Sequence, residues 1–393
     1  MQDITLNASC GACGGTRLDE VFTLPDFPIT GIFVTQPVPG PSRGFDQSLL
    51  LCADCGHAQL SRIIPPAQLY GEGYAHRSSA SHLAGSASDW FVDYIGRLGR
   101  GRVFEHVLEV GCNDLVLMRK MATRARRATG IEPIWRGRTP DVPPNVAIIG
   151  KFLEEVDLAS ELGGRPDLII STHNLEHIAS PLDQYCRLME VVADDALFVI
   201  EVPDSDVMVE NVRFDQVFHQ HVHYFGLASL CRFIDSVGGE YVDHAFNPRN
   251  WGGSLSIAFR RRRGGNGKAL GRRLERAPVA ERYALFRRQK ADLMAQLAGI
   301  EGPVWGYGGG QMVPSLAYHM ESDLSFLAGI VDDNPSRDGL YYPHLAPRIV
   351  AGPNRPNLKD AAVFITAVDG TRAIAHKLRD EDVRTIVSPT AAA

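Results

Sequence analysis

Three histidines stand at alternate positions in the stretch FDQVFHQHVHYFG: His219, His221 and His223. An imidazole near neutral pH can take a proton from a carbon acid, store one, or ligate a metal. If the stretch is extended, its period of two puts the three rings on one face and Phe218, Gln220 and Val222 on the other. Acid–base catalysis, ordinary polar packing and metal binding are the three readings. A dedicated metal site recruits ligands from separate elements, and no carboxylate stands beside the rings, which counts against metal and leaves acid–base chemistry and polar packing open. His219 reads as structural and His223 is left open.

Four of the seven cysteines fall in two pairs, Cys10-x-x-Cys13 and Cys52-x-x-Cys55, in CGACGG and CADCGH. Two such knuckles match a tetrahedral four-thiolate Zn²⁺. The glycines let backbone amides approach the sulfurs. The intervening stretch LPDFPITGIFVTQPVPGPSRG is rich in Pro and Gly and cannot build a large core alone, so the metal supplies stability. Four cysteines complete the shell, which makes the zinc structural and leaves His57 outside it. Cys112, Cys186 and Cys231 are scattered, and an odd count argues against a disulfide framework.

A third candidate lies in VLEVGCNDLVLMRK, where a strand ends, turns at Gly111 and enters a helix. Such a turn offers amides and a helix N-terminus to a ligand. Glu132 closes the next strand, placed to accept two ribose hydroxyls. A dinucleotide would need more glycines around its pyrophosphate. S-adenosylmethionine has no pyrophosphate and carries a cationic tail that suits Glu109 or Asp114, so the turn favours it over NAD.

These residues need a frame. From 103 onward VFEHVLEVG, ATGIEP, VAIIG, PDLIISTHNL and ALFVIEVP read as strands, with MRKMATRARRA as a helix after the first. That is the rhythm of a doubly wound α/β sheet. Trp90, Phe91, Tyr94, Ile95 and Leu98 have helical spacing before it. After a basic turn, a helix near 279–299 leads to GPVWGYGGGQM, LAGIVDDNP and AAVFITA, a second, smaller Rossmann-like unit. Its turn Gly306-Tyr307-Gly308-Gly309 could cradle a phosphate on amides; a dinucleotide with Asp332 on the ribose is the competing reading. The expected organisation is a zinc-binding domain at 1–68, a doubly wound α/β domain at 69–260 and a Rossmann-like domain at 261–393.

The 393 residues, 45% of them apolar, are enough to bury two or three cores. A net charge of −6 argues against a dedicated nucleic-acid binder, and the run Arg260–Arg263 reads as a solvated strand end. No segment reaches the ~18 apolar residues of a membrane span, and the N-terminal MQDITLNASC lacks a signal pattern. A cytoplasmic protein without nucleic-acid or membrane partners is expected, as a monomer or weak homodimer.

The chain resembles the S-adenosylmethionine-dependent C-methyltransferases of deoxysugar biosynthesis. These combine a four-cysteine zinc domain, a class I methyltransferase core and a Rossmann-like C-terminal domain, and methylate C-3 of nucleotide-linked 4-keto sugars. The resemblance rests on CGACG…CADCG, LYGEGYAHRSSAS, VLEVGCND, GIEP, FDQVFHQHVHYF, WGGSLSI, VWGYGGG and VDDNPSRDGLYYP, which span the chain. It implies that a histidine, His221, removes the proton beside a ketone and that the enolate attacks the methyl group. It puts His177, Gln220, Tyr74 and His76 with the catalytic set. It puts Glu109, Gly111, Asn113, Asp114, Glu132, Phe152 and Asn174 at the cofactor. It puts Phe218, His223, Trp251, Gly253, Ser254, Tyr307 and Gly308 at the acceptor, whose nucleotide the C-terminal domain helps to hold.

Several positions depart from the family pattern. Phe218 and Gln220 replace a tyrosine and a glutamate, His76 replaces a tyrosine, Trp251 a histidine, Leu115 a glycine and Met312 a lysine. Phe218 cannot donate to an enolate, and Gln220 cannot raise a histidine's pKa by charge. A nitrogen- or oxygen-directed methyltransferase, or a non-methylating relative that binds or uses a nicotinamide, are the alternatives these departures open.

Overall fold

The computed structural model describes residues 4–40, 44–69, 82–248, 252–264 and 267–390. Tyr74, His76 and Trp251 lie outside the described residues. Along the chain come β1 (Thr5–Leu6), β2 (Leu18–Phe27), β3 (Phe45–Cys52), β4 (Ala58–Leu60), β5 (Arg62–Ile63), α1 (Pro66–Leu69) and α2 (His82–Leu98). β2, β3 and β4 form an antiparallel meander. The first cysteine pair precedes β2, and the second sits in the β3–β4 turn.

The central part runs β6 (Phe104–Val110), α3 (Val116–Ala122), β7 (Ala125–Ile131), β8 (Val146–Ile149), α4 (Leu158–Glu161), β9 (Leu168–Thr172), α5 (Pro181–Val191), β10 (Leu197–Pro203), α6 (Ser205–Glu210), β11 (His223–Tyr224), α7 (Leu227–Ser236), β12 (Gly239–Asn247) and β13 (Ser254–Arg261). Seven of its strands make one sheet in the order β12-β13-β10-β9-β6-β7-β8. β6 to β10 are parallel, while β13 runs antiparallel to β10 and β12. This is the doubly wound class I methyltransferase sheet. Its interior strands are buried on both faces, which explains continuous apolar runs such as LII in β9 and LFVI in β10. The strand order reverses between β6 and β9, and the crevice outside their carboxyl ends is where such sheets take ligands.

The helix expected over MRKMATRARRA stops at Ala122, and its second half is β7. Ala128 to Ile131 are buried in a parallel ladder with β6. Arg126 and Arg127, charged residues that read as helix surface, reach out to Glu105 and the Gly163 carbonyl. Tertiary pairing overrides local propensity here.

The C-terminal part runs α8 (Arg276–Ala298), β14 (Val304–Tyr307), α9 (Val313–His319), β15 (Leu327–Asp332), β16 (Ile349–Ala351), β17 (Ala362–Ile365), α10 (Thr371–Asp380) and β18 (Thr385–Val387). Its five strands are all parallel, in the order β16-β15-β14-β17-β18.

The Pro/Gly-rich N-terminal segment does not stand alone. Phe22, Leu24 and Phe27 share a core with Met208, Phe214, Phe218 and, from α8, Val279 and Phe286. Phe22 stacks on Tyr283 with ring centroids 3.6 Å apart. Each such buried aromatic side chain contributes roughly 1.5–3 kcal/mol. Among the described residues no helix is long and apolar enough to cross a membrane.

Candidate active site

The four cysteines meet. Cys10 Sγ lies 3.6 Å from Cys55 Sγ, and Cys13 Sγ 3.7 Å from Cys52 Sγ. All four sulfurs lie within 4.8 Å of one another. A tetrahedron with Zn–S bonds of ~2.3 Å has edges of about 3.8 Å, so the set fits Zn²⁺. Hydrogen bonding to Cys55 and burial push the Cys10 thiol well above its ordinary range, while a hydrogen bond from Cys10 draws Cys55 down to about 6. A bound cation would let all four ionise. His57 is outside the shell, as expected, but it is fully buried and bonded to His223.

At the crevice, Gly111 has φ +79°, and a Cβ there would lie 2.6 Å from Asn174 Cγ. Glycine is therefore required, and it brings the end of β6 against the loop after β9. Leu115, which replaces a family glycine, keeps glycine-like geometry at φ 72° with its side chain buried. Glu132 accepts from the amides of Asn113 and Ile134 at 3.0 and 3.1 Å. Trp135 Nε1 donates to the Asn113 carbonyl at 2.8 Å. Glu109 is buried at the end of β6; burial first, then the charges of Glu132 and Asp114, push its pKa well up. Glu109 Oε2 and Asn113 Oδ1 are buried acceptors with no hydrogen-bond partner among the described residues. A ligand bearing an amine, hydroxyls and a positive charge meets these needs, so the residues fit S-adenosylmethionine. Phe152 is half-buried beyond β8, under the Arg136 guanidinium.

The histidine run is not a strand. A 3₁₀ turn at Phe214–Gln216 and a turn closed by His221 N on the Phe218 carbonyl precede the two-residue β11. The three rings consequently go three ways, which corrects the shared-face expectation. His219 Nε2 donates to the Phe27 carbonyl at 2.8 Å. His223 Nε2 donates to the Ala179 carbonyl at 3.5 Å, so its Nδ1 accepts from His57 Nε2 at 3.1 Å. Burial holds both His57 and His223 neutral, with His223 near 4. His221 turns toward the 3₁₀ turn that follows β9, with Phe218 tilted over it at a centroid distance of 4.1 Å.

There it meets the carboxylate that the sequence did not reveal. Glu176 Oε1 lies 3.9 Å from His221 Nε2, 4.0 Å from His177 Nε2 and 3.6 Å from His173 Nδ1. His173 Nε2 lies 3.3 Å from Glu201 Oε1. Burial works against a charge on His173, but Glu176 and Glu201 outweigh it and raise its pKa to about 9. Burial likewise opposes charge on Glu176, but His173, then His177 and His221, hold it at about 2. His177 Nδ1 donates to the Gln220 carbonyl at 2.7 Å, which puts the neutral ring's proton on Nδ1. Glu176, His177 and His221 also have a spacing that could hold a metal ion.

The Gln220 side chain is not part of this cluster. Its amide is engaged at both ends by Thr30, through Thr30 Oγ1 and the Thr30 carbonyl, each at 3.1 Å. Gly253 and Ser254 lead into β13, where the buried Ser254 hydroxyl has no hydrogen-bond partner among the described residues.

The C-terminal glycine turn is also corrected. Gly308 N donates to the Val331 carbonyl at 2.7 Å and Gly309 N to Asp332 Oδ2 at 2.6 Å, so these amides do not cradle a phosphate. Asp332 also takes the Asn334 amide and Arg337, which occupies the carboxylate a ribose would need. Tyr307 is buried with its hydroxyl on Asp333. Beside the turn is an open cleft lined by Gln216, Phe218, Gly310, Met312, Thr366 and Asp369, among others. Gln216 also lines a smaller pocket with His221 and Asp204.

With this geometry in place, comparison with known proteins decides the domain type. A profile described as "Methyltransferase domain" matches residues 81–244, and one described as "Putative zinc binding domain" matches 10–70. The chain carries a methyltransferase domain. That domain is of the S-adenosylmethionine-dependent kind, and the cysteine cluster lies in the zinc-binding domain. The C-methyltransferase NovU of Streptomyces niveus is 26% identical over 250 residues, 62% of this chain and 59% of that protein. The match thus spans less than two thirds of the relative's length. The resemblance to zinc-binding C-methyltransferases is supported by these three matches. Among solved structures, the N-methyltransferase NodS of Bradyrhizobium japonicum is 13% identical, covering 46% of this chain and 96% of that one at a TM-score of 0.35. A methyltransferase structure from Listeria monocytogenes is 14% identical, covering 45% and 99% at 0.37.

Proposed function

We propose that the chain methylates a carbon beside a ketone in a nucleotide-linked sugar or a related small molecule of specialised biosynthesis. One observation carries this reading: a buried imidazole pair, His177 and His221, faces a buried carboxylate at the carboxyl edge of the sheet that takes the cofactor. S-adenosylmethionine, when bound, supplies a methyl group that leaves sulfur with its bonding electrons staying on sulfur. Glu109, Asn113 and Glu132 would hold it. His221 Nε2 takes the proton from the carbon acid, and Glu176 lies where it stabilises the resulting imidazolium. The carbanion's electron pair forms the new carbon–carbon bond, and the imidazolium then returns its proton to solvent. The cleft shares Gln216 with the small pocket at His221, and the rest of the acceptor would lie along it. A reducing cytoplasm suits seven unpaired cysteines.

A nitrogen or oxygen acceptor is the second reading. Phe218 favours it, because a ring without a donor stands over His221 where an enolate oxygen would need one.

Calorimetry on zinc-loaded protein tests the cofactor first. Micromolar binding of S-adenosylmethionine without NADPH binding is expected, with a loss of roughly 10–100-fold in Glu132→Ala from one or two charge-assisted hydrogen bonds. NADPH binding in its place overturns the reading. His221→Ala should abolish turnover and spare cofactor binding; full activity removes His221 from the mechanism. With an acceptor in hand, absence of solvent exchange at its C–H bonds favours the nitrogen or oxygen reading.

A further inference from the structure

We propose that Glu176 is a positioning residue that acts through His221 and His177. This rests on the acid–base reading above and names the group that sets its basicity.

The geometry is specific. Glu176 follows β9 in a 3₁₀ turn, Leu175–His177, and its side chain is only 2% exposed. Its backbone carbonyl accepts from Val222 N at 2.8 Å, which pins the turn to the segment carrying His221. Among the described residues both carboxylate oxygens lack a hydrogen-bond partner at ordinary distance, yet three imidazole nitrogens lie 3.6–4.0 Å away. A buried carboxylate so placed cannot be balanced by water. A proton on any of these rings balances it, so proton capture by His221 is favoured where it would otherwise be opposed by burial.

His177 cannot donate its Nδ1 proton to Glu176, because the Gln220 carbonyl holds it. Its Nε2 therefore faces the carboxylate with a lone pair until protonated. The two rings stand edge to face at 4.7 Å and face the same carboxylate. Other groups facing this centre are His173, with Glu201 behind it, and His223, Tyr185 and Tyr224, which also feel the Glu176 charge. Asp204 and Gln216 complete the small pocket with His221. The Gln220 amide is spent on Thr30 and does not reach this centre.

The test needs no acceptor. Imidazole nitrogens are followed by ¹⁵N NMR against pH in the full zinc-loaded chain, with His221→Gln and His177→Gln to assign them. At least one of the two rings should take its proton above the ordinary histidine range. In Glu176→Gln that titration should move down by roughly one unit or more, a tenfold or larger loss of basicity, and Glu176→Asp should restore part of it. Zinc content and S-adenosylmethionine affinity should stay within twofold. An unchanged titration in Glu176→Gln overturns the proposal and leaves Glu176 a packing residue. If that variant does not fold, the native chain decides: both rings titrating at or below the ordinary range overturns it. A second tightly bound metal per chain that silences both titrations overturns it too. Failure of S-adenosylmethionine to bind would sink the methyltransferase reading without touching the titration result.

Discussion

His57 Nε2 lies 3.1 Å from His223 Nδ1, joining the residue just beyond the second zinc knuckle to the strand just beyond His221. The link is reinforced by the ladder, since β11 is the fourth strand of the zinc-domain sheet and pairs with β4 through His223–Gln59 and Tyr224–Ala58. The His223 ring also presses on Gly11, where a Cβ would lie 2.2 Å from it. The zinc domain is thereby part of the scaffold that aims His221.

Zinc removal should therefore disorder the histidine run as well as the knuckles. Cys52→Ser, or a strong chelator, is expected to take bound zinc from one per chain to none. Structural zinc contributes about 10 kcal/mol or more to such small domains. Hydrogen exchange should then rise through both β2–β4 and residues 217–226, while β6 and β7 at the cofactor crevice stay protected. Protection of 217–226 that survives zinc loss would show that β11 is held by the methyltransferase domain alone.

The Glu176–His173 pair gives stability a pH window. His173 is raised in the fold to about 9, so its contribution is full below its unfolded value of 6.5 and is lost as pH rises through 9. Glu176 is depressed to about 2, so its contribution is full above its unfolded value of 4.5 and fades as pH falls toward 2. Both act fully only between about 4.5 and 6.5. Urea unfolding should show stability falling between pH 6.5 and 9, and Glu176→Gln should flatten that slope. A slope that persists in the variant would assign it to other groups.

Much of this arrangement was legible in the sequence. The two cysteine pairs, the Gly111 turn and the strand rhythm need only local spacing, and the structure brings each together. The histidine run was misread because alternation suggests a strand only when its backbone has a continuous neighbour; here a 3₁₀ turn and a second turn intervene. Glu176 was missed although it stands beside His177 in NLEH. A signal was present: titratable residues just after an interior parallel strand lie at the ligand edge, and His173, Glu176 and His177 all follow β9. The Thr30–Gln220 contact, 190 residues apart in sequence, had no local signature.

Leu115 sets two effects against each other. A left-handed leucine costs roughly 1–2 kcal/mol relative to a glycine in the same conformation. Its side chain, though, is 1% exposed and packs with Met118, Met121 and Tyr94 in a common core. Deleting a buried leucine side chain costs about 3–5 kcal/mol. Burial wins, so Leu115→Gly should destabilise the chain by about 1–4 kcal/mol in denaturant titration, despite relieving the backbone. The turn already has glycine-like geometry, so S-adenosylmethionine affinity should change by less than about threefold. A stabilised variant would mean the left-handed strain exceeds the packing gain.

Arg213 ties the methyltransferase domain to the C-terminal one beside the acceptor cleft. It grips Asp215 with two bonds of 2.8 Å and Asp369 with one of 2.7 Å. Its side chain is 13% exposed, and that of Asp215 is 8%. Burial alone would raise Asp215, but the guanidinium reverses this and holds it below the usual carboxylate range. Asp369, whose side chain is 37% exposed, meets the same guanidinium from the C-terminal side. Removing one partner of a buried pair leaves a charge without compensation, at about 3–5 kcal/mol. Arg213→Met should lose that much stability at pH 7, and less at low pH, where Asp215 can take a proton. Arg213→Lys should not recover it, because an ammonium cannot make the two parallel bonds. Both variants should also loosen the walls of the cleft, read as increased hydrogen exchange at 366–370. A loss under 1 kcal/mol in Arg213→Met would reduce this contact to an ordinary surface pair.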